Sequence, residues 1–458
     1  MAKQTYDLLV IGAGAAGSTA ASTAAQRGAC VALVERDKIG GTCLNYGCDP
    51  TKTLIYIAKQ LYHTQRSAPF GLRCSGETAD WPAVLAWVRQ AIDRIRGGTS
   101  PEAAEKLGKQ GITVFNDEAA FLSPHELAVG GTTLTAERII IATGGKELIP
   151  PVEGLNETGF ITNIQAVALE TLPRRMAIVG GGAIGMEFAQ MFHRFGVEVT
   201  VIERAPMLLD KEDREMADTL CDLLRKEGLR LEANAELRRA RRDTRGKCLT
   251  ILCGDREEEE LIVDEILMAA GRRPALDALH LAEAGVKTGK KGIEVDATLQ
   301  TSAPHIWAAG DVTGGLQFTH VAYEQGKLAA QNAFSQRPRP FEGLVIPWVT
   351  FTDPPLAHVG KTEEQLKQEG VAYRTGRMYF KDVERAITEG ETDGLVKLLV
   401  DGSGTILGGH ILGANAGDVL APIILAMQTH APVGTLAATI MPYPTLSEGV
   451  RWAADKLK

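Results

Sequence analysis

Short apolar runs alternate with polar and glycine-rich stretches along the first two thirds of the chain. Residues 6–10 and 30–34 are two such runs, and an alanine-rich stretch long enough for a helix lies between them. The same order returns with apolar runs at 176–179 and 197–202, which flank a helical pattern over 186–195. Strands that alternate with helices in this way are typical of parallel sheets, so the pattern predicts an α/β fold.

Three further apolar runs end at or near a glycine, and they define the predicted domains. They cover residues 139–145, 266–271 and 305–312, whereas the C-terminal part mixes strands and helices without a glycine-rich loop. We therefore predict two Rossmann-like dinucleotide-binding domains, the first interrupted by the second, and a C-terminal α+β interface domain. The predicted bounds are 1–150 and 272–340 for the first domain, 151–271 for the second and 341–458 for the third.

Each predicted dinucleotide unit has a glycine loop between its first strand and its helix. The glycines are Gly12, Gly14 and Gly17 in the first loop and Gly180, Gly182 and Gly185 in the second. Such glycines allow a tight turn and a close approach of the backbone to a pyrophosphate at the helix N-terminus. The next predicted strand ends at an acid, which is Glu35 in the first copy and Glu203 in the second. An acid at this place is expected to bind a ribose hydroxyl.

Two cysteines follow the first unit, Cys43 and Cys48, with Gly47 between them. Asp49 is a good N-cap and Pro50 suits the first helical position, so we expect a helix to begin there. A thiol at that place lies at the positive end of the helix, which favours the reactive thiolate. The stretch favours a redox-active pair, although it leaves open two buried structural cysteines or half of a metal site.

Two dinucleotide sites on one chain indicate two different cofactors. The redox pair directly follows the first site, so we assign a flavin to that site and a nicotinamide to the second. Glu203 accepts hydrogen bonds from a free 2′-hydroxyl and repels a 2′-phosphate, which favours NADH over NADPH. The neighbouring Arg204 works against that preference.

Composition excludes several classes of protein. The chain has 458 residues, enough for about three domains, with 45% hydrophobic and 23% charged residues. A formal net charge of -8 argues against a nucleic-acid partner. There is no apolar run of membrane-spanning length and no signal peptide, so we expect a cytoplasmic protein with no membrane partner. Seven cysteines do not indicate a disulfide framework, and Cys248 and Cys253 are predicted core thiols.

Residues 40–52 read Gly-Gly-Thr-Cys-Leu-Asn-Tyr-Gly-Cys-Asp-Pro-Thr-Lys, and Gly-Asp recurs at 310–311 after the second glycine loop. In these motifs and their order the chain resembles the class I pyridine nucleotide-disulfide oxidoreductases over almost its whole length. The resemblance is greatest to mercuric reductase and next to dihydrolipoamide dehydrogenase. It implies an obligate homodimer with FAD in the first domain and a C-terminal dimerisation domain that completes the partner's active site.

The resemblance also implies roles for single residues. Cys48 would face the flavin, Cys43 would exchange with the substrate, and Lys52 would lie near the flavin N5 and pair with Glu187. Asp311 would bind the ribityl chain. The other implied contacts are Gly41, Thr42, Thr143, Gly144, Gly310 and Thr319 for FAD and Gly271 for NAD(P).

The C-terminal part departs from the disulfide reductases of this family, which carry His-x-His-Pro-Thr. Tyr443 replaces the second histidine, while its partner Glu448 stays in register. A tyrosine with an ordinary pKa of about 10 is poorly matched to proton transfer at neutral pH. A tyrosine here is similar to mercuric reductase, but that family ends in a vicinal cysteine pair and this chain ends in Ala-Asp-Lys-Leu-Lys.

The sequence therefore predicts an NAD(P)H oxidoreductase that reduces a soft metal ion such as Hg(II), or another thiol-reactive oxidant. The only metal expected is the substrate ion, bound by Cys43 and Cys48, because soft thiolates prefer soft cations. One alternative is a dihydrolipoamide dehydrogenase-like enzyme acting on a lipoyl protein or another disulfide. A further alternative is a flavin redox sensor with little turnover. Asp49 is open to a second interpretation, as a metal ligand or a charge that raises the pKa of Cys48.

Overall fold

The computed structural model describes residues 4–74, 78–254 and 257–458, which fold into two compact units. Unit 1 comprises the described residues of Met1–Thr53, Trp81–Leu148 and Gly271–Gly343, and unit 2 comprises those of Leu54–Asp80, Ile149–Ala270 and Leu344–Lys458. None of the described helices is both long enough and apolar enough to cross a bilayer.

The strands and helices are numbered in chain order. The strands are β1 (Gln4–Ile11), β2 (Val31–Val34), β3 (Ile112–Phe115), β4 (Ala119–Ser123), β5 (Glu126–Val129), β6 (Thr132–Ile141), β7 (Gly145–Glu147), β8 (Arg175–Val179), β9 (Glu198–Ile202), β10 (Arg230–Glu232), β11 (Ala235–Asp243), β12 (Gly246–Cys253), β13 (Glu258–Val263), β14 (Glu265–Met268), β15 (Arg272–Pro274), β16 (Ile306–Ala308), β17 (Pro347–Thr350), β18 (Leu356–Gly360), β19 (Arg374–Tyr379), β20 (Leu395–Val400) and β21 (Ile406–Leu412). The helices are α1 (Ala15–Ala25), α2 (Gly41–Tyr46), α3 (Cys48–Gln65), α4 (Trp81–Arg96), α5 (Ser100–Lys109), α6 (Leu155–Thr158), α7 (Asn163–Ala166), α8 (Ala183–Arg194), α9 (Arg214–Glu227), α10 (Thr319–Ala333), α11 (Glu363–Gln368), α12 (Glu384–Glu389), α13 (Ala416–Val419), α14 (Ala421–Gln428), α15 (Val433–Ala438) and α16 (Glu448–Asp455).

Unit 1 is built on a sheet with the strand order β3-β2-β1-β6-β5-β4, and β16 also pairs with β6. The central strands β1, β2, β3, β6 and β16 are parallel. Leu8, Leu9 and Val10 of β1 are fully buried because both faces of the sheet are covered. The carboxyl ends of β1, β2 and β6 meet at one edge, which is where α/β sheets bind ligands.

Unit 2 contains a parallel sheet, β10-β9-β8-β14, and two antiparallel sheets, β11-β12-β13 and β17-β18-β21-β20-β19. The predicted repeat of strand, glycine loop, helix and strand is present as β8, α8 and β9. Cys248 and Cys253 are buried on β12, which confirms that they are core thiols. The α/β class and the C-terminal α+β region, whose five-stranded sheet packs against short helices, are confirmed.

Candidate active site

The first glycine loop brings the start of α1 against the sheet of unit 1. Gly12 has a φ of +99°, and a Cβ atom there would lie 2.4 Å from the carbonyl oxygen of Ala142. A Cβ at Gly17 would lie 1.7 Å from the carbonyl oxygen of Gly12. Only glycine fits these two positions, so the turn leaves the N-terminus of α1 open to a ligand, as a pyrophosphate requires.

The carboxylate of Glu35 is held at the end of β2 by two backbone donors. The N–H of Ala13 donates to Oε2 at 2.7 Å, and the N–H of Asp37 donates to Oε1 at 2.9 Å. A cavity of about 260 Å³ opens here at the carboxyl edge of the sheet, lined by Gly12, Glu35 and Thr143 among others. A glycine cradle, a fixed carboxylate at the position predicted to bind a ribose hydroxyl, and a cavity fit the nucleotide part of FAD.

The other residues predicted to contact FAD lie in the same unit. Gly41 and Gly144 have positive φ values of +59° and +71°, and the Thr143 hydroxyl donates to the carbonyl oxygen of Ala275 at 2.8 Å. Burial raises the pKa of Asp311, which follows Gly310 after β16, and Arg272 at 3.7 Å opposes that rise. Thr42 lies in α2.

The second glycine loop repeats the geometry of the first in unit 2. The N–H of Gly181 donates to Oε2 of Glu203 at 2.6 Å, and the N–H of Ala205 donates to Oε1 at 2.6 Å. A Cβ at Gly180 would lie 2.3 Å from the carbonyl oxygen of Ala269, and one at Gly185 would lie 1.9 Å from that of Gly180. The loop also contains Gly182, while Gly271 belongs to unit 1. Two loops with the same hydrogen bonds support two dinucleotide sites.

The predicted helix start at the cysteine pair is wrong by two residues. We expected Asp49 as the N-cap and Pro50 as the first helical residue, but α3 begins at Cys48 and Asp49 lies in its first turn. The cause is Gly47, whose φ of −127° and ψ of −112° separate α2 from α3. Cys48 is therefore the first residue of an 18-residue helix, and its thiol lies closer to the positive end of that helix than predicted.

The Thr319 hydroxyl contacts both sulfurs of the pair, whereas the sequence predicts Thr319 only as a contact of FAD. The Thr319 Oγ1 atom donates to Cys43 Sγ at 3.1 Å and lies 3.4 Å from Cys48 Sγ. Thr319 is the first residue of α10, as Cys48 is of α3. Both cysteines are partly buried, and both are free thiols.

The two thiols have opposite acidities because they share a hydrogen bond. That bond is the largest influence on the pKa of Cys48 and, with the Thr319 hydroxyl and the charge of Lys52, lowers it to about 6 against the effect of burial. The same bond, with burial, raises the pKa of Cys43. Near neutral pH the negative charge therefore lies on Cys48, the thiol that the family resemblance places against the flavin.

Four other predicted residues divide between the two units. Lys52 lies one turn after Cys48 on α3 in unit 1. Glu187 is buried on α8 in unit 2 and accepts the N–H of Phe351 at 2.8 Å. Glu448 is buried and accepts the N–H of Thr445 at 3.2 Å, whereas the Tyr443 side chain is 72% exposed. The pairing of Lys52 with Glu187 stays a prediction.

Family models and individual relatives both place the chain in the same family. Residues 6–326 match the family described as pyridine nucleotide-disulphide oxidoreductase, and residues 346–454 match the dimerisation domain of that family. A mercuric reductase from Staphylococcus aureus is 37% identical over 453 residues, which are 98% of this chain and 82% of the relative. A dihydrolipoyl dehydrogenase from Thermus scotoductus is 37% identical over 459 residues, 99% of this chain and 98% of the relative.

A solved structure of similar fold is a Cu(II) complex of the HOCl-induced flavoprotein disulfide reductase RclA from Escherichia coli. It has a TM-score of 0.89, 31% sequence identity and full coverage of both chains. The chain therefore belongs to the pyridine nucleotide-disulphide oxidoreductase family, and it is a flavin-dependent oxidoreductase that uses a pyridine nucleotide and carries the dimerisation domain of that family.

Proposed function

We propose that this enzyme takes electrons from NADH and delivers them through Cys43 and Cys48 to a soft metal ion such as Hg(II), or to another thiol-reactive oxidant. The observation that carries the proposal is Tyr443, an exposed phenol at the place where disulfide reductases of the family carry an acid-base histidine. A disulfide acceptor needs a proton for its leaving thiolate, whereas a soft cation needs only thiolate ligands. The Escherichia coli relative forms a Cu(II) complex, which supports the binding of a metal ion by this chain.

The cysteine pair does two things in this proposal. FAD, when bound, supplies the two-electron link between the nicotinamide and the cysteines. Cys48 holds the negative charge at neutral pH, because Cys43, Thr319 and Lys52 all stabilise its thiolate. Cys43 provides the outer sulfur that meets the acceptor, and together the two sulfurs offer a soft cation a pair of ligands.

We also infer how the cofactors and the second subunit are arranged. The segments 1–150 and 272–340 would hold FAD, 151–271 would hold the nicotinamide, and 341–458 would form the dimer interface. Tyr443 and Ile440 are 72% and 87% exposed, although Leu446 and Glu448 nearby in the chain are buried. An exposed apolar segment on a dimerisation domain supports a homodimer in which this segment completes the partner's active site.

The nucleotide preference in the proposal rests on Glu203. Both of its oxygens already accept a backbone N–H, which fixes the carboxylate at the end of β9. A fixed negative charge there disfavours a 2′-phosphate but still accepts from a ribose hydroxyl. NADH should therefore support faster turnover than NADPH at equal concentration.

A lipoyl-type disulfide is the second candidate, and the 37% identity to a dihydrolipoyl dehydrogenase favours it. The deciding experiment compares acceptors on the purified holoenzyme with NADH and with NADPH: Hg(II) in excess thiol, Cu(II), lipoamide and a quinone. We expect Hg(II) or Cu(II) reduction to exceed lipoamide reduction at least tenfold. Dominant lipoamide turnover would reject the metal ion as acceptor, and no turnover with any acceptor would leave a redox sensor.

Replacing Tyr443 with histidine should raise lipoamide reduction by about 10²-fold, the usual contribution of a placed general acid. Hg(II) reduction should change little, because that acceptor does not need the proton. The matched control is Tyr443→Phe, which removes the phenol and adds no titratable group. Equal lipoamide rates in Tyr443→His and the wild type would refute this account of the proton shuttle.

A further inference from the structure

One buried side chain in unit 1, that of Asn45, attaches the helix that carries Cys43 to the backbone before it. Asn45 lies on α2 and is 6% exposed. Its Nδ2 group donates to three backbone carbonyl oxygens, at 2.8 Å to Gly41, 3.2 Å to Ile39 and 3.4 Å to Lys38. The position of α2, and with it that of Cys43, therefore depends on how the Asn45 amide is oriented.

The oxygen of the Asn45 amide is held by Arg96, the last residue of α4. Arg96 Nη2 donates to Asn45 Oδ1 at 2.6 Å, and Nη1 donates to Asp93 Oδ1 at 2.7 Å and to the Gly98 carbonyl oxygen at 3.3 Å. The Arg96 side chain is only 7% exposed, whereas that of Asp93 is 50% exposed. A pair with a half-exposed carboxylate does not require a buried guanidinium, but a bond to the buried Asn45 does.

The guanidinium of Arg96 determines which way the Asn45 amide points. The oxygen and the nitrogen of an amide have nearly the same shape, so their hydrogen-bond partners decide the orientation. A guanidinium group can only donate, and it therefore turns the Asn45 oxygen toward α4 and the NH2 group toward the three carbonyl oxygens. Without Arg96 the amide oxygen would lose this donor, and the orientation that attaches α2 would no longer be fixed.

We propose that Arg96 is a positioning residue for the redox pair, and that it acts through Asn45. It keeps the Cys43 sulfur within bonding reach of Cys48. Gly47 separates α2 from α3, and its backbone freedom would otherwise let the two helices move apart. The Arg96–Asn45 hydrogen bond attaches α2 to α4 and limits that motion. A thiol held in this way meets its partner at a high effective concentration, which favours the disulfide over the open dithiol.

The inference rests on the proposed function of the cysteine pair, in which the two sulfurs are joined and separated in every cycle. Two electrons from the pyridine nucleotide, together with two protons, open the disulfide to two thiols. The disulfide forms again when two electrons pass to the acceptor and two protons are released. Arg96 exchanges no electron or proton in these steps, because a guanidinium stays charged at every working pH. It acts on the geometry that both steps require.

The first measurement is the equilibrium between dithiol and disulfide in Arg96→Met. The holoenzyme is incubated near neutral pH with mixtures of reduced and oxidised dithiothreitol, quenched with acid, denatured and alkylated. Mass spectrometry then gives the oxidised fraction of Cys43 and Cys48. The constant for disulfide formation should fall about tenfold, the effect of losing one hydrogen bond to a charged group. This change equals about 30 mV for a two-electron couple, and a substitution that only lowers the stability of the fold would not cause it.

The matched control is Arg94→Met, because Arg94 is an exposed arginine in the same last turn of α4. It removes the same charge from the same helix end, so the constant should stay within about twofold of the wild type. Arg96→Lys keeps a cation that can donate to Asn45 but lacks the planar fork that also reaches Asp93. It should shift the equilibrium in the same direction by less, and it replaces Arg96→Met if that variant does not fold.

Adding Arg96→Met to Asn45→Ala decides whether Arg96 acts through Asn45. If it does, Asn45→Ala alone should shift the equilibrium at least as far, and the second substitution should add less than about twofold. Fully additive shifts would overturn the inference. So would constants in both Arg96 variants within about twofold of the wild type, or a wild-type pair that stays reduced in every mixture. Acceptor reduction is measured in parallel: a wild type that does not reduce metal ions would reject the proposed acceptor, while the equilibrium still decides the role of Arg96.

Discussion

Replacing Cys48 with serine should lower NADH-dependent reduction of every acceptor by at least about 10³-fold, because a serine hydroxyl does not ionise near neutral pH and cannot form a disulfide. The structure makes this position the ionised partner, since the Cys43 hydrogen bond, the Thr319 hydroxyl and the charge of Lys52 together lower the pKa of Cys48 to about 6 against the effect of burial. Cys43→Ser should lose acceptor reduction to a similar extent, because it removes the sulfur that meets the acceptor.

The control is Cys30→Ser, which removes an exposed thiol of unit 1 outside the site. It should keep acceptor reduction within about twofold, as expected for a surface substitution. Loss of visible flavin absorbance on addition of NADH should persist in all three variants, which shows that the cofactors still bind. Acceptor reduction that survives in Cys48→Ser would mean that electrons reach the acceptor without the cysteine pair.

The parts of the site that the sequence predicts are those held by local geometry. Gly12 precedes Glu35 by the same number of residues as Gly180 precedes Glu203. Each of the two acids accepts hydrogen bonds from two backbone N–H groups. This spacing in sequence depends only on the lengths of one strand, one turn and one helix, so it can be recognised in a single amino-acid sequence. The start of α3 was predicted wrongly because N-cap preference and the backbone freedom of Gly47 point to different residues.

Contacts between distant segments were not predictable in the same way. Thr319 is 276 residues from Cys43, and nothing in its neighbourhood signals that its hydroxyl reaches two sulfurs. The hydrogen bond from the Phe351 N–H to Glu187 spans 164 residues, and no local feature of the sequence predicts it. Lys397 lies in an apolar run, where a lysine usually marks an exposed face, but its side chain is only 1% exposed. Such contacts depend on how sheets pack, which periodicity does not encode.

Replacing Lys397 with methionine should lower the free energy of unfolding by about 3–5 kcal/mol, the usual cost of removing one partner from a buried ion pair. The ammonium group on β20 lies 2.8 Å from Asp213, 3.0 Å from Glu215 and 2.6 Å from Glu363. Methionine has a similar volume, so the loss reports uncompensated carboxylates rather than a cavity. Urea titration of the purified holoenzyme measures the difference.

The matched control is Lys367→Met, because Lys367 is 59% exposed and pairs with the same Glu363 at 3.3 Å. An exposed pair is worth about 0–1 kcal/mol, so a loss as large as that of Lys397→Met would contradict the role of burial.

The stability difference between the wild type and Lys397→Met should also depend on pH. Burial raises the pKa of Glu363, but hydrogen bonds from Lys397 and Tyr373 outweigh the effect of burial and lower the pKa to about 2. A carboxyl with a depressed folded-state pKa stabilises the fold above its unfolded pKa of about 4.3 and loses this contribution as the pH falls. The difference between the wild type and Lys397→Met should therefore narrow between about pH 5 and pH 2, and a difference that stays constant over that range would exclude Glu363 as the main partner of Lys397.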